Sequence, residues 1–155
     1  MRRKVNYKRE RQPDPVYDNV LVGRFINQVM RDGKKSVAQK VVFKAFQVIE
    51  KKKKENPVTV FEQAIKNASP LLEVRSKRVG GANYQVPVEV RGERKITLAM
   101  RWILSASRGK KGKPMHEKLA EELILASQNE GGAIKKRTDV QRMAEANRAF
   151  AHFAR

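Results

Sequence analysis

Residues 72–91 read LEVRSKRVGGANYQVPVEVR. Val86, Val88 and Val90 alternate with Pro87, Glu89 and Arg91, while Leu72, Val74, Arg75, Lys77 and Arg78 lie upstream of Gly80 and Gly81. Period-two alternation beside paired glycines marks a β-hairpin. Two strands alone bury little, and Pro87 has no N–H for a ladder, so the pair is expected to project as a cationic arm.

Outward from the hairpin the apolar period becomes helical on both sides. Upstream, Leu21, Val22, Phe25, Ile26, Val29 and Met30 form a first stripe, which Asp18 or Asn19 could cap and Gly33 could end. Val37, Ala38, Val41, Val42, Ala45, Val48 and Ile49 form a second, with Ser36 and Gln39 spaced as a capping box. Asn56 and Pro57 open a third through Val60, Phe61, Ala64, Ile65 and Ala68, stopping before Pro70.

Downstream, three more stripes follow: Ile96, Ala99, Met100, Ile103 and Leu104; Leu119, Ala120, Leu123 and Ile124; and Val140, Met143, Ala144, Asn147 and Ala151. Gly109, Gly112, Gly131 and Gly132 separate them; Pro114 suits a first helical turn, and Thr138 with Gln141 offers another capping box. The expected fold is mainly α: a six-helix bundle-like body, a protruding β-hairpin arm between the third and fourth helices, and a basic N-terminal extension. One domain, 1–155, divides into an arm (1–17), helices one to three (18–70), the hairpin (71–92), and helices four to six with a tail (93–155).

Charge narrows the function. Thirty-five Lys and Arg face 16 Asp and Glu, a formal +19 over 155 residues. Self-repulsion of that size is best relieved by a polyanion, which makes nucleic acid the leading partner class. The cations cluster in the N-terminal arm (Arg2, Arg3, Lys4, Lys8, Arg9 and Arg11), the hairpin, and the helix joins (Lys34, Lys35, Arg108, Lys110, Lys111 and Lys113). Lysines 51–54 end a helix, where solvated cations complement the macrodipole. A basic arm, a cationic hairpin and basic loops on a helical body suit an irregular folded RNA. Neither zinc-finger spacing nor a basic-zipper heptad appears.

Aromatic residues are few, which argues against a single-strand stacking platform. Tyr84 is the exception; it could stack on a base at the arm's tip or cover the hairpin's own backbone. Trp102, among Met100, Ile103 and Leu104, belongs to the core or its edge.

Catalytic patterns fail. Gly33, Lys34, Lys35 and Ser36 resemble the end of a phosphate loop, but position 28, where its first glycine belongs, is Gln28. His116 and His152 lack metal-ligand spacing, Glu121 and Glu122 point about 100° apart on a helix, and Ser105 and Ser107 have no nearby base. Without cysteine there is no disulfide, thiolate zinc site or cysteine nucleophile. No apolar run reaches membrane-spanning length, and the basic start is not followed by a signal-peptide apolar region, so a cytoplasmic protein without cofactor or metal is expected. A duplex-DNA module and an RNA-processing enzyme are the rivals; competition by duplex DNA and turnover with magnesium separate them.

The stretch VGGANYQVPVEV at 79–90 resembles the signature arm of bacterial small-subunit ribosomal protein seven. PDPVYDNVLVGRFINQVMRDGKKS (13–36), LAMRW (98–102) and MAEANRAFAH (143–152) extend the resemblance over nearly the whole chain. Residues 2–11, residues 105–113 and the closing HFAR depart from familiar members.

The resemblance implies a structural protein, not an enzyme, in the cytoplasmic ribosome or that of a plastid. Such a protein binds a multi-helix junction in the 3′ major domain of 16S rRNA, nucleates head assembly, and sits near exit-site tRNA and mRNA. It implies rRNA contacts at the N-terminal arm, Lys34, Lys35, Arg75, Lys77, Arg78, Arg91, Arg94, Lys95 and Arg101, to which the basic loop of Arg108, Lys110, Lys111 and Lys113 is added. Gly80, Gly81, Ala82, Asn83, Tyr84, Arg142, Asn147 and Arg148 are implied near tRNA and mRNA. Small-subunit proteins nine, eleven, thirteen and nineteen are the implied neighbours; a membrane and a second copy of the chain are not among the partners.

Overall fold

The computed structural model describes residues 12–154. In chain order it contains α1 (Val20–Val29), α2 (Lys35–Lys53), α3 (Pro57–Ala68), β1 (Leu72–Val79), β2 (Ala82–Glu89), α4 (Gly92–Gly109), α5 (Met115–Ser127) and α6 (Gly132–Ala146), and ends in a 3-10 helix (Arg148–Ala154). The mainly helical body with a hairpin between α3 and α4 agrees with the sequence expectation; the 3-10 helix adds a seventh helical segment.

The first five apolar stripes turn largely inward, and of the sixth only Val140 and Ala144 are buried. Val22, Phe25 and Ile26 of α1, Val42, Phe46 and Ile49 of α2, and Phe61 and Ala64 of α3 are essentially inaccessible. Phe61 lies 5.1 Å from Phe25 and 5.6 Å from Phe46, with tilted rings that favour edge contacts. Helix α5 touches α2, α3, α4 and α6, so Leu119, Ala120, Leu123 and Ala126 are sealed on several sides. Trp102 is half-buried against this core, as its neighbours suggested.

The hairpin is antiparallel, with Leu72 opposite Glu89 and Val79 opposite Ala82. Gly80 and Gly81 both have positive φ, +57° and +91°, as a tight two-residue turn requires. Its root is buried through Glu73, Val86, Pro87 and Val90, and its tip is exposed.

Several caps differ from expectation. Asn19 caps α1 by accepting from Leu21 N at 2.8 Å, but the helix ends at Val29, ahead of Gly33. Asp32 and Gly33 instead form a turn at positive φ, and Lys34 takes the N-cap position of α2, leaving Ser36 two residues too far in to act as a cap. Asn56 caps α3 ahead of Pro57 as expected. Pro114 stands at the N-cap of α5, one residue before its first turn. Thr138 lies inside α6, its hydroxyl donating to Ile134 O at 3.1 Å, because a residue of α5 caps the helix at its true start. Helix α6 stops at Ala146, so Ala151 falls in the 3-10 segment and Met143 remains substantially exposed.

Candidate nucleic-acid interface

Helix α4 organises the cations. Arg94, Arg101 and Arg108 stand seven residues apart and all are exposed. Each heptad drifts only about 20° around a helix, so the three form a stripe about 21 Å long. Arg91 precedes the stripe, exposed at the N-cap of α4, and Lys95 is half-buried beside it.

At the upstream end, the stripe meets the hairpin root. Arg94 Nε donates to Glu73 Oε2 at 3.2 Å, and Arg75 pairs with the other carboxylate oxygen. Burial would raise the Glu73 carboxyl, but the hydrogen bonds and charges of Arg75 and Arg94 outweigh it and hold the group below its ordinary range. The carboxylate thereby fixes two cations that would otherwise repel, one on each element.

At the downstream end, Arg108 Nη2 donates to Val29 O at 3.3 Å. Arg108 shares a groove of about 370 Å³ with Arg31, Lys34 and Lys118, over a floor that includes Val37, Val41 and Met115. Burial, then the charge of Arg31, pulls the Arg108 guanidinium below its ordinary value. Four like charges around one groove are relieved when a polyanion enters. Arg31 and Lys118 escaped the sequence reading; the signals for them were proximity to Lys34 and helical spacing from Met115.

The α4–α5 loop is more constrained than its composition suggests. Lys110 Nζ lies 2.8 Å from Glu122 Oε2, which is fully buried, without the angle of a hydrogen bond. Glu122 Oε1 accepts from Ala133 N at 2.9 Å, so this carboxylate is the cap of α6. A Cβ at Gly131 would come within 2.9 Å of that oxygen, which explains the glycine. Lys113 and Glu121 pair on the surface, and their hydrogen bond raises the ammonium and lowers the carboxyl from their ordinary values. Lys111 is exposed. Two of the loop's three lysines thus already hold carboxylates.

Lys34, Lys35 and Arg78 are exposed, and Lys77 donates to Phe153 O at 2.6 Å. Arg2, Arg3, Lys4, Lys8, Arg9 and Arg11 lie outside the described residues. Gly80, Gly81, Ala82 and Asn83 form the exposed tip. Tyr84 packs 5.2 Å from both Phe150 and Phe153, a contact that the hairpin sequence did not indicate. Arg142 pairs with Asp139 at 3.6 Å, Asn147 Nδ2 donates to Met143 O at 2.8 Å, and Arg148 is exposed where the 3-10 helix begins.

A helical body carrying a cationic stripe between a hairpin root and a basic groove has the charge distribution of the nucleic-acid-binding class of proteins. Residues 1–148 match the family described as ribosomal protein S7p/S5e. A small ribosomal subunit protein uS7 of Thermotoga maritima is 59% identical over 153 residues, covering 99% of each chain. One from Fervidobacterium nodosum is 59% identical over 153 residues with the same coverage. One from a Bradyrhizobium species is 57% identical over 152 residues, covering 98% of this chain and 97% of the relative. The chain belongs to the ribosomal protein S7p/S5e family. It is a structural constituent of the small ribosomal subunit, an rRNA-binding protein of the cytoplasmic ribosome and not an enzyme.

Proposed function

We propose that the chain, acting as one domain, clamps a multi-helix junction in the 3′ major domain of 16S rRNA, and that this contact nucleates assembly of the subunit head. The observation that carries the reading is the stripe Arg94, Arg101 and Arg108, which joins the hairpin root to the groove of Arg31, Lys34 and Lys118. A surface about 21 Å long can touch phosphates of more than one RNA helix and so fix their mutual orientation. Lys35, Arg75, Lys77, Arg78, Arg91, Lys95 and Lys111 add further rRNA contacts in this reading, as do the basic residues among 2–11. Lys110 and Lys113 act mainly by shaping the loop, since each holds a carboxylate.

The exposed tip Gly80 to Asn83, with Arg142, Asn147 and Arg148, faces exit-site tRNA and mRNA in this reading. Small-subunit proteins nine, eleven, thirteen and nineteen are its neighbours.

Chemical footprinting of 16S rRNA with the purified protein, at moderate salt and magnesium with excess duplex DNA, tests the proposal. The expected result is localised protection in the 3′ major domain that survives competition. Diffuse protection erased by duplex DNA would make the chain a general nucleic-acid binder and overturn it.

A further inference from the structure

The hairpin packs on the body at its root and against α6, and the 3-10 helix adds a further tie. Further out, Lys77 and Tyr84 face each other across the strands. The Tyr84 ring lies 5.2 Å from Phe150 at 51° and 5.2 Å from Phe153 at 42°, while Lys77 Nζ donates to the Phe153 carbonyl at 2.6 Å. Both strands are therefore fastened, at one register position, to the same C-terminal turn.

That turn is itself anchored to α6. Asn147 N and Nδ2 donate to Met143 O at 3.1 and 2.8 Å, and Phe150 N donates to Asn147 O at 3.0 Å. Phe150 and Phe153 lie nearly parallel, at 10° and 6.4 Å, with Tyr84 against both. Beyond this point the tip residues 80–83 are exposed. A two-stranded ribbon has little stability of its own, so a tie two residue pairs short of its last pair sets where its tip can go.

We propose that Tyr84, Phe150 and Phe153 are positioning residues: an aromatic clasp by which the C-terminal turn holds the hairpin arm at a fixed angle to α6. Clasped, the tip and the cations Arg142 and Arg148 form one composite surface, and the Tyr84 ring serves protein packing instead of base stacking. The consequence for RNA rests on the proposed function above; the clasp itself does not.

The test is amide hydrogen exchange on the full chain, free in solution. In the double variant Phe150→Ser with Phe153→Ser, and in Tyr84→Ala, exchange across residues 76–85 should rise about 10-fold, the loss expected for an aromatic pair. Core amides of α3 and α5 should be unchanged, and Tyr84→Phe and Phe153→Tyr, which keep the rings, should match the parent. Unchanged hairpin exchange in the double variant overturns the clasp, as does a uniform rise across core and hairpin alike. On 16S rRNA, the double variant should lose protections made by the tip and keep those made by the body. If hairpin exchange rises yet neither protein protects the 3′ major domain, the clasp stands and the junction reading fails.

Discussion

Glu122 shows what one side chain can organise. Fully buried on α5, it caps α6 through Ala133 N and faces Lys110 from the basic loop. Glu122→Ala leaves an inward-facing N–H without its acceptor and removes a helix cap, at a cost of about 2–3 kcal/mol. Urea unfolding should report that loss, and Lys110→Ala, whose side chain reaches solvent, should not reproduce its effect on α6 amide exchange. Glu73 makes a prediction about pH. Because its folded carboxyl is held below the ordinary value, its contribution is complete above about pH 4.3, the unfolded value, and disappears as pH falls through the lowered one. Thermal melts between pH 5 and about pH 2 should therefore show a smaller acid-induced loss in Glu73→Gln than in the parent.

At the scale of an element, α4 has two faces with separable duties. Its inner face holds Ala99, Met100 and Ile103 in the core, and its outer face carries the arginines. Arg101→Gln should leave the melting temperature unchanged while lowering the slope of log affinity against log salt by about 0.7–0.9, one phosphate contact, in a filter-binding titration. No change in slope would remove Arg101 from the interface. Helix α3 gives one face to the core, with Val60, Phe61, Ala64, Ile65 and Ala68 buried. Phe61, inaccessible and packed on Phe25 and Phe46, should cost about 3–5 kcal/mol when changed to Ala, measured by chemical denaturation.

For the whole molecule, the excess of +19 governs behaviour at a distance. If about 6 to 10 phosphates are contacted, affinity for the RNA should fall by about 10³ to 10⁵ between 50 and 200 mM salt. A nearly flat dependence would mean that charge is not the basis of recognition. The same excess keeps cations from packing together without an intervening carboxylate or polyanion. Glu73 supplies the first between Arg75 and Arg94; in the proposed function, rRNA supplies the second at the groove of Arg31, Lys34, Arg108 and Lys118.

What the sequence determined by itself was local and periodic. Helical spacing located five stripes that the structure largely buries and part of a sixth, paired glycines located the turn, and Asn19 and Asn56 capped as short-range rules require, because each of these depends on residues within one turn. Among the site residues, the basic loops were legible as composition, Arg94 and Arg101 came from the resemblance alone, and the stripe they form with Arg108 emerged only once α4 had its bounds. What only the tertiary structure decided were partnerships across elements. Thr138 lost the cap of α6 to Glu122 of α5; Lys110 and Lys113 turned out to hold carboxylates; Arg31 and Lys118 joined a groove; and Tyr84 found Phe150 and Phe153. No spacing rule reaches across such separations, since the energy of burying a charge or a ring depends on which distant surface arrives to cover it.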